Sequence, residues 1–133
     1  MKQAVFETKS GVSLLIKHKK SAVILELDGE SDEINFKFEF TPEVFQKLIN
    51  HIITAAHESW SSIVPREANS MGSDYDEYYD RKLDRNGYLS FSVKEGYLLV
   101  ERPTREDNRL YQFSKRKMES FIFDYYEWGG VEV

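Results

Sequence analysis

The sequence predicts an α+β domain that consists of two tandem ββββα repeats. Over most of the chain, apolar and polar residues alternate with the period of two that a half-buried strand requires. This alternation changes twice to the spacing of an amphipathic helix. The two changes lie within 34–53 and 109–126, and Phe40-Thr41 in the first segment matches Phe113-Ser114 in the second. Self-similarity at a fixed offset indicates one supersecondary unit used twice, with each antiparallel sheet backed by one helix.

Length and composition restrict the class of protein. A chain of 133 residues is long enough for one domain with a core, and its 14% aromatic content argues against disorder. The absence of cysteine excludes disulfides and thiolate metal sites, and it favours a reducing, cytoplasmic compartment. We expect neither a signal peptide nor a membrane span, because no apolar run reaches about 18 residues. The net charge of -5 restricts any nucleic-acid site to a local basic patch.

The first repeat is predicted at 1–60, within a single domain that covers 1–133. Four strands are expected at 1–9, 12–19, 22–28 and 34–40, because apolar residues alternate in each of them. Thr41 is a good helix N-cap and Pro42 fits the first helical position, which predicts a helix over 41–60. Its apolar stripe consists of Val44, Phe45, Leu48, Ile49, Ile52, Ile53 and Ala56.

A linker is predicted at 61–74, followed by the second repeat at 75–130. Strands are expected at 79–83, 88–94, 97–101 and 109–113, with Glu95-Gly96 as a two-residue turn between the second and third. Ser114 caps the closing helix and Gly129-Gly130 ends it. The apolar stripe of this helix consists of Met118, Phe121, Ile122 and Tyr125.

The strand faces turned away from the helices form the first candidate site. They carry aromatic, lysine and small hydroxyl side chains together, which suits single-stranded nucleic acid, because bases stack on such rings for ~1–3 kcal/mol each. Two other interpretations stay open: these are ordinary solvent-side strand residues, or the face is buried against another sheet or a second subunit. The members are Leu15, Lys17, Lys19, Ile24, Asn35, Lys37, Tyr88, Ser90, Ser92, Lys94, Tyr97, Leu99 and Gln112, diluted by Glu26, Glu39 and Glu101.

Three consecutive cations after Ser114 form the second candidate site. Lys115, Arg116 and Lys117 occupy the first turn of the predicted helix, where positive charge opposes the helix macrodipole. The first repeat has Pro42-Glu43-Val44 at this place, and a local rule obeyed in one copy and broken in the other is consistent with a functional use such as binding an anion. The alternative is a neutralising partner in the acidic 74–80 segment.

The remaining polar residues do not form a recognisable catalytic or metal motif. The acidic segment lacks the glycine and the spacing of a calcium loop. His18 lies on an apolar strand face and is expected in the core, whereas His51 and His57 do not share a helix face. We therefore expect a protein without catalytic activity, cofactor or metal.

Residues 88–94, 96–101 and 121–126 resemble a PUR repeat of the purine-rich-element-binding family, which binds single-stranded DNA and RNA. Their sequences are YLSFSVK, GYLLVE and FIFDYY. The resemblance implies that two repeats interlock into one Whirly-like domain with an intramolecular pseudo-two-fold axis. It also implies that Lys17, Lys19, Tyr88, Lys94 and Tyr97 lie on the strands used for stacking and backbone contact. The family's longer basic hairpin is matched only by residues 17–20, KHKK.

Two functional hypotheses follow, and the first is preferred. The first is a single-stranded DNA- or RNA-binding module that uses Lys17, Lys19, Lys37, Tyr88, Lys94, Tyr97, Lys115, Arg116 and Lys117. The second is an inhibitor or immunity-type protein that docks on a basic protein partner through the acidic loop at 74–84. Its contact residues are Asp74, Tyr75, Asp76, Glu77, Tyr78, Tyr79 and Asp80.

A homodimer is expected under either hypothesis, because a second subunit would bury the unpaired sheet edges and the apolar strand residues. A positive open sheet face would favour the first hypothesis, and a negative or buried face the second.

Overall fold

A computed structural model describes residues 2–68 and 73–129. Eight strands and two helices follow one another in the order ββββα-ββββα. The elements are β1 (Lys2–Glu7), β2 (Ser13–Lys19), β3 (Ala22–Asp28), β4 (Asn35–Glu39), α1 (Pro42–Ser59), β5 (Glu77–Asp80), β6 (Arg85–Ser92), β7 (Tyr97–Glu101), β8 (Arg109–Phe113) and α2 (Lys115–Glu127). Part of the predicted linker (69–72), Gly130 of the predicted helix stop and the C-terminal tail lie outside the described residues.

The strands form two four-stranded antiparallel sheets, which confirms the predicted α+β class. Sheet A has the order β1-β2-β3-β8, and sheet B has the order β4-β7-β6-β5. The last strand of each half therefore pairs with strands of the other half. Ile24 lies opposite Gln112 in sheet A, and Lys37 lies opposite Leu99 in sheet B. Alternation determines which face of a strand is buried but not which strand lies alongside it, so this exchange does not follow from the sequence pattern.

Helix α1 begins and ends close to where the sequence predicts. The Thr41 hydroxyl accepts a hydrogen bond from Val44 N at 3.3 Å, and Pro42 occupies the first helical turn. At the other end, Trp60 N donates to Ala56 O. The helix packs on sheet A with a buried stripe of Phe45, Leu48, Ile49, Ile52, Ala55, Ala56 and Ser59.

Helix α2 packs its aromatic residues against strands of both sheets. The ring of Phe121 lies 4.7 Å from that of Phe91 in sheet B and 5.2 Å from that of Phe113 in sheet A. The predicted stripe of Met118, Phe121, Ile122 and Tyr125 is buried. Because its contacts span β6 and β8, this helix joins the two sheets into one core.

Three elements in the second half differ from the prediction: β5, the turn between β6 and β7, and β6 itself, which covers Arg85–Ser92 rather than 88–94. Strand β5 covers Glu77–Asp80 rather than 79–83, because the Asp80 carboxylate accepts from the backbone of Lys82 and Leu83 and turns the chain there. The turn between β6 and β7 has four residues rather than two. Ser92 O accepts from Gly96 N at 2.9 Å and the Ser92 hydroxyl accepts from Glu95 N, so residues 93–96 leave the ladder. Gly96 takes a φ of 71°, a conformation that favours glycine.

Candidate binding surface

The open face of sheet B is the surface of β4–β7 that points away from the core. Its cross-strand rows are Glu77–Tyr88–Glu101–Asn35, Tyr79–Asn86, Ser90–Leu99–Lys37 and Ser92–Tyr97–Glu39. Directly opposed residues of antiparallel strands share a face, so these side chains form one continuous surface. Tyr79 is 54% exposed, Tyr88 40% and Leu99 39%. Large rings and an apolar side chain are thus presented together to solvent.

The charges on this face are predominantly negative. Glu39, Glu77 and Glu101 are exposed, whereas Lys37 is the only basic residue among the strand positions of the face. The Lys37 ammonium lies 4.8 Å from the centroid of the Tyr97 ring, in cation–π contact. The single positive charge is therefore already in contact with a ring of the same surface.

A shallow depression of about 520 Å³ lies around Tyr88 on this face. Its lining includes Asn35, Asp76, Ser90, Leu99 and Glu101. Asp76 precedes β5, and its carbonyl accepts from Leu89 N at 3.0 Å, which extends the pairing with β6 by one residue. The depression thus combines a phenol ring and an apolar side chain with two carboxylates.

The residues predicted to bind nucleic acid lie in several separate places. Lys37, Tyr88 and Tyr97 share the open face of sheet B, and Lys94 lies in the turn beside it. Lys17 and Lys19 lie instead on β2, in sheet A. The Lys17 ammonium lies 2.9 Å from a carboxylate oxygen of Glu26. The structure therefore places only Lys37 on the face that carries the rings, with Lys94 beside it, and keeps Lys17 and Lys19 apart from them.

The three cations at the start of α2 all have partners within the chain. Arg116 Nε lies 2.7 Å from Asp74 Oδ2, Lys117 Nζ donates to Asp74 O, and Lys115 Nζ donates to the Ser62 hydroxyl. The Ser114 hydroxyl caps the helix by accepting from Lys117 N. These contacts match the alternative in which the acidic segment neutralises the helix start.

The acidic segment predicted as a docking loop is largely built into the core. Tyr75, Tyr78 and Asp80 are buried, and Asp74 is held by Arg116. Burial, with the nearby Asp80 carboxylate, raises the pKa of Tyr78 to about 12. The exposed members Asp76, Glu77 and Tyr79 belong to the open face of sheet B or border it. The exposed acidic and aromatic residues that were predicted to form a docking loop thus lie at one side of sheet B.

The Tyr75 side chain anchors this segment to α2. Its hydroxyl donates to Asp124 Oδ2 at 2.8 Å, and the same oxygen accepts from the Ser73 hydroxyl at 2.6 Å. Burial raises the pKa of Tyr75 well above its ordinary value, so the phenol remains a donor at neutral pH. The Tyr111 hydroxyl donates to the Tyr75 carbonyl.

The apolar strand residues that were expected to be buried by a second subunit are partly buried within the single chain. Ile24 is 3% exposed within the single chain and Leu15 is half-buried, although both point away from the α1 side of sheet A. Ile24 therefore needs no second subunit to cover it. Leu99 remains exposed.

Three arrangements of buried or partly buried polar residues were not predicted from the sequence. Arg102 is buried between two loops, and its guanidinium donates to Ser31 O at 2.7 Å and to Asp107 O at 3.4 Å. Glu119 Oε2 accepts from Val64 N at 3.0 Å and so fixes the linker to α2. Charged residues in a turn or a helix resemble solvent-exposed ones in sequence, so no periodic signal could have found these two.

The third is a histidine pair. His18 is buried as predicted, and its ring centroid lies 6.2 Å from that of His51. His18 Nε2 lies 3.4 Å from Glu58 Oε1, which also accepts from Lys2 Nζ at 2.7 Å. His51 meets His18 on β2, a residue far from it in sequence, so spacing along the helix could not reveal the contact.

No family model, characterised protein or solved structure matches this chain. Neither helix in the described residues is both long and apolar enough to cross a membrane. In the same part of the chain, no three His, Asp or Glu side chains are arranged to hold a metal ion.

Proposed function

We propose that this chain is a non-catalytic protein-binding module that docks a basic partner on the open face of sheet B. One observation carries the proposal: exposed Tyr79, Tyr88 and Leu99 share a surface on which carboxylates outnumber ammonium groups three to one. Tyrosine is enriched among the residues that dominate binding energy at protein interfaces. Charges around such a centre set the sign of the partner and accelerate encounter.

The same charges argue against two other occupants. A nucleic-acid backbone would bring phosphates to Glu39, Glu77 and Glu101, with Lys37 as the only ammonium group on the strands of this face. A second copy of the chain docking through this face would bring together two surfaces that both carry this excess of carboxylates. Like charges brought together at an interface cost free energy, which favours a basic partner over either.

Single-stranded nucleic acid remains the second candidate. Tyr88, Tyr97 and Tyr79 present rings on one open sheet, which is the platform that base stacking needs. Lys94 is exposed in the adjoining turn, where it could meet a phosphate. This candidate requires binding that rests mainly on stacking and weakens only modestly with salt, since few cations would contact phosphates.

We also propose that the two ββββα halves are copies of one motif related by a pseudo-two-fold axis, as in PUR repeats. Both halves have the same order of elements, and both helices begin after a hydroxyl N-cap, at Thr41 and Ser114. The exchange of β4 and β8 between the sheets is reciprocal. The absence of cysteine supports action in a reducing compartment such as the cytoplasm.

Affinity capture with the immobilised full chain, followed by titration of the purified partner, tests the protein-binding proposal. Extracts are treated with nuclease beforehand, so that nucleic acid cannot bridge the chain to a bound protein. We expect a partner with a basic surface, whose affinity falls at least about tenfold for Tyr88→Ala combined with Leu99→Ser. Val5→Ser is the matched control, because Val5 is an exposed apolar residue on β1 of sheet A.

A parallel titration with short purine-rich single strands separates the two candidates. Saturable binding that depends on Tyr88 and Tyr97 would support the nucleic-acid candidate and overturn the protein-binding one. Equal loss of the captured partner with the Val5→Ser control would also overturn the proposal for this face.

A further inference from the structure

We propose that the depression around Tyr88 is a pocket for one arginine side chain of the partner. This inference rests on the proposed function and assigns the central contact of that surface. The depression is lined by Asn35, Asp76, Tyr88, Ser90, Leu99 and Glu101, among others. Its volume of about 520 Å³ is ample for one long side chain.

The arrangement of these groups matches the chemistry of a guanidinium group. Tyr88 lies directly opposite Glu77 on one side and Glu101 on the other, so its ring is flanked by two carboxylates in one row. A planar guanidinium stacks on an aromatic face and donates paired hydrogen bonds to carboxylates at its edge. The Tyr88 row thus offers both kinds of contact at neighbouring positions.

The remaining lining fits the aliphatic part of an arginine. Leu99 lies one row from Tyr88 on the neighbouring strand and is 39% exposed. The methylene stem of a long basic side chain packs along apolar surface while its charged end reaches polar groups. A phosphate or a carboxylate in the same place would face Asp76 and Glu101 without a cation among the six lining residues named above.

An intramolecular contact on the same face shows the same pairing. Lys37 Nζ lies 4.8 Å from the centre of the Tyr97 ring, and Glu39 is the direct cross-strand partner of Tyr97. A cation, a tyrosine and a glutamate therefore already occur together two rows from Tyr88. At Tyr88 the ring and the carboxylates are present, and we assign the cation to the partner.

The test is an NMR titration of the isotope-labelled full chain with a capped Gly-Arg-Gly peptide. We expect saturable shift changes confined to residues around Tyr88, Leu99 and Glu101, and affinity about tenfold weaker for Tyr88→Leu. Asp76→Asn combined with Glu101→Gln should weaken binding similarly. Glu106→Gln, an exposed carboxylate in the loop before β8 and outside the open face, is the control and should bind as the unchanged chain does.

Peptides that replace arginine by citrulline, which is isosteric and uncharged, or by lysine complete the test. Equal binding of the citrulline peptide, shifts spread over all acidic surfaces, or equal loss with Glu106→Gln would overturn the pocket. Equal binding of the lysine peptide would overturn the choice of arginine. If a captured partner depends on Tyr88 and Leu99 while the arginine peptide does not bind, the pocket fails and the protein-binding function stands.

Discussion

A single buried cation connects the two loops that lead into the exchanged strands. Arg102 follows β7 and donates to Ser31 O in the loop before β4 and to Asp107 O in the loop before β8. Its guanidinium also lies 5.2 Å from the centre of the Phe36 ring. Burial, and then the charge of Arg105, lowers the pKa of Arg102. Hydrogen bonds from a charged donor are worth about 1.5–3 kcal/mol, so this residue is a major local contributor to stability.

We therefore expect Arg102→Ala to lower the free energy of unfolding by about 1.5–3 kcal/mol. Two loop carbonyls would lose their donor, and the Phe36 ring would lose its cation. Chemical denaturation followed by circular dichroism measures the change. Arg105→Ala, an exposed arginine in the same loop, is the control and should change stability by no more than about 0.5 kcal/mol. Equal effects of the two substitutions would contradict the role assigned to Arg102.

The histidine pair makes stability depend on pH. Burial, and then the neighbouring His18, lowers the pKa of His51 below its ordinary value of 6.5, against the opposing charge of Glu58. The unfolded chain therefore takes up a proton at His51 before the folded chain does. Since protons then favour the unfolded state, stability falls as pH drops through 6.5 towards the lower folded pKa.

We expect the free energy of unfolding to decrease between about pH 7.5 and pH 5.5, and His51→Gln to reduce that slope. The measurement is denaturation at a series of pH values. His57→Gln removes an exposed histidine of the same helix and should leave the slope unchanged. A slope that survives His51→Gln in full would place the pH dependence elsewhere.

At the scale of elements, the start of α2 shows how an unfavourable helix turn is tolerated. Lys115, Arg116 and Lys117 oppose the macrodipole. The Asp74 carboxylate pairs with Arg116, and the Asp74 carbonyl accepts a hydrogen bond from Lys117. The acidic segment before β5 is thereby fastened to the second helix. An acidic residue and a basic run far apart in sequence thus form one local structure.

A double-mutant cycle on Asp74→Asn and Arg116→Gln measures this contact. We expect a coupling free energy of about 0.5–1 kcal/mol, because the pair is partly exposed and screened by water. Added salt should reduce the coupling. A coupling free energy of zero at low salt would show that the contact between Asp74 and Arg116 does not contribute to stability.

The sequence predicted most elements because their signals are local. The Thr41 and Ser114 caps, the apolar stripes and the alternation in β2, β3 and β7 act over a few residues, and each is found where predicted. Strand β5 and the turn at 93–96 were misplaced because side-chain hydrogen bonds of Asp80 and Ser92 fix their ends. Alternation also placed Tyr88 and Tyr97 on the open face, but not Tyr79. Their separation from Lys17 and from Lys115–Lys117 depends on tertiary structure, and spacing along the chain could not reveal it.

At the scale of the whole molecule, the exchange of β4 and β8 makes each sheet depend on both halves of the chain. One edge strand of sheet A, β8, comes from the second half of the chain, and one edge strand of sheet B, β4, comes from the first half. Helix α2 further buries Phe121 against both sheets. The halves should therefore fold together rather than in turn.

Fragments 1–68 and 69–133 test this dependence. Each alone should lack cooperative unfolding, because it would expose an unpaired sheet edge and the apolar face that the other half covers. Mixing the two fragments should restore the circular dichroism spectrum of the intact chain. A fragment that unfolds cooperatively alone, with the stability of the intact chain, would contradict the interdependence.

Photocrosslinking tests most directly whether a basic protein partner binds on the open face of sheet B. A benzophenone amino acid in place of Leu99 lies in the middle of the face, and the same amino acid in place of exposed Asn50 on α1 is the control. We predict crosslinking in cells from position 99, and not from position 50, to one protein whose contact site is basic. Crosslinks from position 99 to nucleic acid, or equal yields from both positions, would contradict the claim.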